Sequence, residues 1–269
     1  MKIALIQMVC EKGALQENLE VTAHYITEAA ALGIDIVAFP EASLSGYANP
    51  QLYPDAVIGL DSPEVPEFLA MTRGNAMTVL AGILEKNPDG KPFITQMVAR
   101  DGSLVGWQRK MTLGEEKQGQ LEDWYVVGKS VNVFTHNGVT FGIAICADMD
   151  NAAVFAECAR QGASLVFELA APGLYGDQAT RNWTTGFSWW EDEVYKAMTQ
   201  YTRTHRYWTA CATQAGRTVD EDFPGGAFVF APDGRCVFAT EDGTPGAVYL
   251  EIDLDAGGCC KIPMSAVTY

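Results

Sequence analysis

The sequence is short of positive charge and has no long apolar run. It holds 18 lysine and arginine residues against 34 aspartate and glutamate residues, a formal net charge of −16. Nucleic acids and anionic membrane surfaces bind basic patches, so this balance argues against both as partners. No apolar stretch has the length of a membrane span, and residues 1–10 lack the apolar core and cleavage site of a signal peptide. We therefore expect a cytoplasmic protein.

The sequence also lacks the spacings that hold metal ions or define disulfide frameworks. Its three histidines and seven cysteines are scattered, with no C-x-x-C and no H-x-x-x-H, and the adjacent pair Cys259-Cys260 is not a zinc-ligand spacing. We expect no metal site, no cofactor and no disulfide framework. The remaining class of partner is a small molecule.

Strand-like and helix-like segments alternate along the chain, which indicates an α/β fold. Hydrophobic residues make up 48% and charged residues 19%, as is usual for a globular protein. The pattern predicts strands at 2–9, 34–39, 78–84, 165–167, 207–213 and 248–253. It predicts helices at 15–32, 64–75, 151–161 and 193–206. Hairpins are predicted at 93–109, 131–145 and 226–239. Residues 171–192 are interpreted as a polar, aromatic loop. The sequence contains no proline-rich linker and no low-complexity stretch, so we interpret residues 1–269 as one domain.

Cys146 ends an apolar strand-like run, 141–145, and acidic residues follow it closely. Such a strand buries the backbone while the loop opens the sulfur to a pocket. The thiolate is the reactive form of cysteine, so a nucleophile here needs a base or a cation nearby. The simpler alternative is a buried cysteine without chemistry, since free cysteine is among the most buried residue types.

Two other predicted strands end in a residue that could supply that base or cation. Glu41 follows the strand 34–39, and Lys110 ends the second strand of the hairpin 93–109. A carboxylate at the end of a buried strand is partly desolvated, which makes it a usable base. Taken singly, each residue fits an ordinary surface charge better than a catalytic group, since charges at strand ends usually face water.

Glu41, Lys110 and Cys146, in this order, resemble the catalytic residues of the nitrilase superfamily, the carbon–nitrogen hydrolases. Further segments resemble that family over most of the chain, roughly residues 2–254. They are the G-x-x-E strand 82–85, the hairpin 94–110, the segment 121–128 and the hairpin 223–234. The resemblance implies an α/β fold arranged as a four-layer αββα sandwich. It also implies pairing of two copies into a homodimer or a higher homo-oligomer.

The resemblance also implies a role for each residue. Cys146 would attack the substrate and form a thioester, with Glu41 as its base. Lys110 would stay protonated and, with the backbone N–H of Ala147, would stabilise the negative oxygen of the intermediate. Glu122 is the expected second carboxylate, which would hold Lys110 or assist proton transfer. Its rivals for that role are Glu115 and Glu116.

The residues after the nucleophile bear on the substrate. Cys146-Ala147-Asp148 is closer to the amide- and carbamoyl-hydrolysing branches of the family than to the nitrile branch, which has Cys-Trp-Glu. We expect Tyr47, Asp148 and Ala171 to line the pocket, although Asp148 is equally a candidate cap of the following helix.

The expected reaction is hydrolysis of a non-peptide C–N bond in a small amide. Two alternatives remain: a nitrile or N-carbamoyl hydrolase on the same triad, and a catalytically silent binding member of the family. The aromatic residues within 183–190 fit the core, an interface or a substrate wall.

Overall fold

The computed structural model describes residues 1–116, 119–174 and 183–263. Its strands, in chain order, are β1 Lys2–Gln7, β2 Ile36–Ala38, β3 Val57–Ile58, β4 Thr78–Glu85, β5 Phe93–Arg100, β6 Ser103–Arg109, β7 Glu115–Glu116, β8 Gly119–Gln120, β9 Val133–His136, β10 Val139–Ile145, β11 Leu165–Ala170, β12 Trp208–Thr213, β13 Ala215–Arg217, β14 Asp222–Pro224, β15 Ala227–Phe230, β16 Cys236–Ala239, β17 Gly246–Asp253 and β18 Gly258–Lys261. The helices are α1 Leu15–Ala31, α2 Glu64–Met71, α3 Ala152–Arg160 and α4 Trp183–His205.

Two large sheets carry most of these strands. The first has the order β18-β17-β1-β2-β4-β5-β6, with β3 paired to β4, and the second has the order β16-β15-β12-β11-β10-β9. In the first sheet β1, β2 and β4 are parallel, and in the second β10, β11 and β12 are parallel. Because parallel strands end at the same edge of a sheet, the loops after β2 and β4 meet, as do the loops after β10 and β11.

Three apolar clusters define four layers. One cluster fills the space between the sheets, and two others lie on their outer faces. Helices α1 and α2 cover the first sheet, and helices α3 and α4 cover the second. This is the expected αββα sandwich, so the predicted fold is confirmed. None of the helices within the described ranges is long and apolar enough to cross a membrane.

Both Gly-containing hairpin turns fall where the sequence predicts them. Asp101 and Gly102 have φ of 45° and 76°, and Asn137 and Gly138 have φ of 48° and 82°. Positive φ at both central residues is the signature of a type I′ turn, whose twist matches that of the flanking strands. The first of these hairpins joins β5 to β6, with a register shift between Val98 and Ala99, and the N–H of Lys110 donates to the backbone oxygen of Ile94 at 2.8 Å.

The predicted loop over 171–192 is wrong in its second half, because α4 already begins at Trp183. The buried positions of this helix continue at helical spacing, at Phe187, Trp190, Val194, Met198 and Tyr201. Its first turns are so rich in aromatic and polar residues that their apolar positions do not indicate a helical period. The chain also continues beyond the predicted last strand into β18, a largely exposed edge strand without a strong alternating pattern.

Candidate active site

The three strand ends singled out in the sequence converge between the two sheets. Lys110 Nζ lies 2.6 Å from Glu41 Oε1, and both side chains are almost fully buried. The second oxygen of Glu41, Oε2, accepts the backbone N–H of Ala171 at 3.0 Å. Lys110, Cys146, Tyr47 and Ala171 line one cavity of about 230 Å³. The structure thus brings together the carboxylate, the cation and the thiol.

The backbone is constrained at two points of this site. Ala42, directly after Glu41, and Cys146 have φ of 50° and 48°, a left-handed conformation that is uncommon for residues other than glycine. Because Gly82 on β4 has no side chain, the backbone at Ala42 can approach it closely; a Cβ at Gly82 would lie 2.3 Å from the backbone nitrogen of Ala42. Ser43 Oγ accepts the backbone N–H of Gly82 at 2.9 Å. The loop that carries Glu41 is therefore held directly against β4.

Asp148 connects the strand of the lysine to the strand of the cysteine. Its carboxylate accepts the backbone N–H of Met111 at 2.9 Å and that of Ile145 at 3.0 Å. Burial raises the pKa of Asp148 to about 6, although Lys110 and these N–H groups favour the carboxylate. This corrects both expectations for Asp148. The residue is buried behind the cavity, and α3 is capped by Asn151, whose Oδ1 accepts the N–H of Ala153.

The surroundings of Cys146 and Lys110 set their charges. Burial, and next the carboxylate of Glu41, raise the pKa of Cys146 well above its ordinary value, while Lys110 acts in the opposite direction. For Lys110, burial lowers the pKa, but the negative groups beside it, Glu41 foremost, more than offset this and leave its pKa raised. The resting pair is therefore a neutral thiol and an ammonium group.

The second carboxylate expected at Glu122 does not reach this cavity. A short 3₁₀ turn, Leu121–Asp123, buries Leu121 and directs the Glu122 side chain outward, where it is exposed. The backbone oxygen of Glu122 accepts Lys91 Nζ at 2.6 Å. Among the described contacts Lys110 bonds to Glu41 and not to Glu122. The side chains of the rivals Glu115 and Glu116 lie outside the described part of the chain.

One carboxyl group near the site was missed by the sequence reasoning. Glu168 on β11 is fully buried, in register with Ala144 on β10 and Cys211 on β12. Neither of its carboxyl oxygens has a hydrogen-bond partner in the described structure. Burial, followed by the negative charges of Asp148 and Glu41, raises the pKa of Glu168 well above its ordinary value. A single glutamate inside the apolar run 165–171 was the available signal.

Helix α4 supplies another part of the cavity that the sequence left open. Trp189, Trp190 and Glu193 line it from this helix, facing Cys146 and Ala147 on the other side. The aromatic segment thus contributes to the wall of the site as well as to the core. In the described ranges no three His, Cys, Asp or Glu side chains are grouped so that they could hold a metal ion.

The fold and these side chains define a class: an αββα sandwich with a glutamate, a lysine and a cysteine at strand ends between its sheets. A sequence model of the carbon-nitrogen hydrolases matches residues 2–261. The chain belongs to this family, the nitrilase superfamily.

Two curated relatives illustrate the range of similar sequences. A formamidase of Allorhizobium ampelinum is 30% identical over 140 residues, which cover 51% of this chain and 40% of the relative. A glutamine-dependent NAD(+) synthetase of Acinetobacter baylyi is 22% identical over 255 residues, covering 94% of this chain and 44% of the relative. The matched regions thus span less than half the length of either relative.

Solved structures share the fold over nearly the whole chain. An amidase of the nitrilase superfamily from Nesterenkonia sp. AN1 is 21% identical with a TM-score of 0.75, covering 96% of this chain and 92% of its own. Glutamine-dependent NAD+ synthetase from Acinetobacter baumannii is 18% identical with a TM-score of 0.79, covering 97% and 47%. Two structures of the Nesterenkonia amidase contain acrylamide or the acetamide moiety of fluoroacetamide joined to its active-site cysteine.

Proposed function

We propose that this protein hydrolyses a non-peptide C–N bond in a small amide through a thioester on Cys146. The products are ammonia or an amine and a carboxylic acid. The observation that carries this proposal is the buried contact of 2.6 Å between Lys110 Nζ and Glu41 Oε1 at the cavity lined by Cys146. Acyl transfer requires a nucleophile, a cation and a base; here Cys146 and Lys110 line the cavity, and Glu41 is in contact with Lys110.

In the first half-reaction Glu41 accepts the thiol proton of Cys146 while the sulfur attacks the carbonyl carbon of the amide. The raised pKa of Cys146 makes this transfer necessary, because the resting thiol holds its proton. Negative charge develops on the carbonyl oxygen, and Lys110 and the backbone N–H of Ala147 stabilise it. The C–N bond then breaks as Glu41 returns the proton to the leaving nitrogen, which leaves a thioester.

In the second half-reaction a water molecule attacks the thioester. Glu41 takes one proton from the water as the new C–O bond forms, and the C–S bond then breaks. The sulfur of Cys146 regains a proton from Glu41, and the carboxylic acid departs. One water molecule is consumed in each cycle, and the enzyme returns to its starting state. Lys110 remains protonated throughout, as its raised pKa favours.

The size of the cavity, about 230 Å³, supports a small substrate. Amides are favoured over nitriles because Ala147, and not tryptophan, follows the nucleophile; the similar sequences include both formamidases and an aliphatic nitrilase and do not decide between the two. Nitrile and N-carbamoyl hydrolysis on the same triad, and a catalytically silent binding protein, are the alternatives that the experiment must separate.

The test is a substrate panel of simple amides, glutamine, nitriles and N-carbamoyl compounds, with ammonia release and intact protein mass as readouts. We expect ammonia from amides, and we expect Cys146→Ala to abolish it while the fold is retained. Cys260→Ala is the matched control, because it removes an exposed thiol that is not among the residues lining the cavity. Absence of both ammonia and a covalent adduct with every compound would favour the silent binding protein.

We further propose that two copies of the chain pair, as the family resemblance implies. Sedimentation velocity on the purified protein tests this, and a monomer at all concentrations would contradict it.

A further inference from the structure

Two segments supply the acidic and indole side chains that line the cavity. Trp189, Trp190 and Glu193 face it from α4, at positions i, i+1 and i+4 of the helix, which lie on one side. Asp150 lines it from the end of the 3₁₀ turn Cys146–Asp150, the same turn that begins with the nucleophile. Two acidic side chains and two indole rings thus share a small space with Cys146.

The described lining of this space is acidic. Its described lining residues include three with a formal charge: Lys110, Asp150 and Glu193. Lys110 is neutralised by Glu41 at 2.6 Å, so the two carboxylates remain. Glu193 lies 4.0 Å from Lys196, but both side chains are well exposed, at 41% and 79%, and such surface pairs contribute little. Among the described lining residues, a cation entering the cavity would therefore meet the carboxylates of Asp150 and Glu193, and it would compete with Lys196 for the second of them.

The indole rings add a second feature that favours a cation. Trp190 is fixed in place, since its indole N–H donates to Thr213 Oγ1 at 2.9 Å. The ring of Trp189 lies 6.0 Å from that of Trp190 and is 38% exposed. Tryptophan is the aromatic side chain that attracts cations most strongly, and the attraction increases when water is excluded. Carboxylates beside a tryptophan wall form a site for an ammonium group.

Resting on the proposed amide hydrolysis, we infer that the substrate is a small amide whose carbon chain carries an ammonium group. The amide carbon would lie at Cys146, and the ammonium group would lie between Asp150, Glu193 and Trp189. The cavity of about 230 Å³ has room for a short chain. Asp150 and Glu193 would therefore determine specificity and take no part in bond breaking.

The experiment compares amides that differ only in charge. The pairs are 4-aminobutanamide with pentanamide, 5-aminopentanamide with hexanamide, and 6-aminohexanamide with heptanamide. In each pair a methyl group replaces the ammonium group at constant chain length. We expect at least one ammonium amide to exceed its neutral partner in kcat/KM by about tenfold, the effect of one favourable charge interaction of about 1.4 kcal/mol.

Three variants assign that preference to the proposed residues. Glu193→Gln and Asp150→Asn should each lower the ratio of the two kcat/KM values by roughly three- to tenfold, as loss of one charge contact predicts. Glu191→Gln removes the same charge from the same helix, but Glu191 is not among the described residues lining the cavity. Its ratio should equal that of the unaltered protein. Equal effects of all three variants would show a general charge effect and would overturn the inference.

Binding to the Cys146→Ala variant, measured by calorimetry, separates this inference from the proposed function. Tighter binding of an ammonium amide, with no hydrolysis by the unaltered protein, would support the charge selection and contradict the hydrolysis. Hydrolysis of both members of every pair without preference would support the hydrolysis and contradict the charge selection. Neither hydrolysis nor a binding preference would contradict both proposals.

Discussion

Replacing Glu168 by glutamine removes a buried acid while keeping its shape. In the folded protein this carboxyl group is fully buried without a hydrogen-bond partner in the described structure, and its pKa is raised well above the ordinary value. In the unfolded chain the same group ionises near its ordinary pKa of about 4.3. Between these two pKa values the folded state binds one proton more than the unfolded state. The free energy of unfolding of the unaltered protein should therefore fall as pH rises in this interval, by about 1.4 kcal/mol per pH unit from this group.

The amide of Glu168→Gln does not titrate, so the variant lacks this pH dependence. An unpaired buried amide has a cost of its own, about 1–3 kcal/mol, but that cost is the same at every pH. The measurement is urea unfolding of both proteins at pH 5.5, 6.5 and 7.5. The stability of the variant minus that of the unaltered protein should increase with pH, by at most about 1.4 kcal/mol for each pH unit, for as long as the folded carboxyl group holds its proton and the unfolded one does not.

Glu20→Gln is the matched control, since Glu20 is exposed on α1, and its stability difference should stay flat. A flat difference for Glu168→Gln as well, or one that grows as pH falls, would refute the conclusion that Glu168 is held as a neutral acid.

Three further predictions concern the triad and its support. Glu41→Gln should prevent acylation of Cys146, because the thiol keeps its proton. A normal burst of thioester, measured by mass spectrometry after rapid quenching, would count against Glu41 as the base. Lys110→Met should lower kcat by roughly a hundredfold or more through loss of oxygen stabilisation. It should also destabilise the fold by about 3–5 kcal/mol in chemical unfolding, because Glu41 is left buried without its ion pair; unchanged stability would contradict this. Gly82→Ala should lower the unfolding free energy by at least about 1–3 kcal/mol, since its Cβ would lie 2.3 Å from a backbone nitrogen. A neutral effect on thermal unfolding would show that the loop after Glu41 adapts.

The sequence was sufficient to predict the parts of the fold that depend on local pattern. The alternation of strands and helices, and the turn residues at 101–102 and 137–138, predict elements that the structure confirms. The three strand ends at Glu41, Lys110 and Cys146 were identified because each ends an apolar run with a reactive residue. Their convergence depends on long-range packing: β2 and β6 are separated in the first sheet by β4 and β5, and Cys146 follows β10 of the second sheet, so the two sheets must pack face to face to bring the three ends together.

Other parts depend on side-chain direction, which a single sequence does not determine. Glu122 was chosen for the segment around it, yet a 3₁₀ turn buries its neighbour Leu121 and exposes Glu122 itself. Asp148 accepts hydrogen bonds from two backbone N–H groups that are far apart in the sequence but close together in the structure. Glu168 lies in an ordinary strand, and its position between the small residues Ala144 and Cys211 depends on the register of three strands, which the sequence alone does not give. The prediction of one domain over residues 1–269 stays a prediction.

The central claim is that Cys146 becomes acylated during amide hydrolysis. The test is to mix the enzyme with an amide that it hydrolyses, quench the reaction rapidly, and measure the intact protein mass and the peptide map. We predict an acyl group on Cys146 that forms faster than ammonia accumulates at steady state. We also predict that the adduct is absent in Cys146→Ala. Steady release of ammonia with no adduct on Cys146, at the same rate in Cys146→Ala, would contradict this claim.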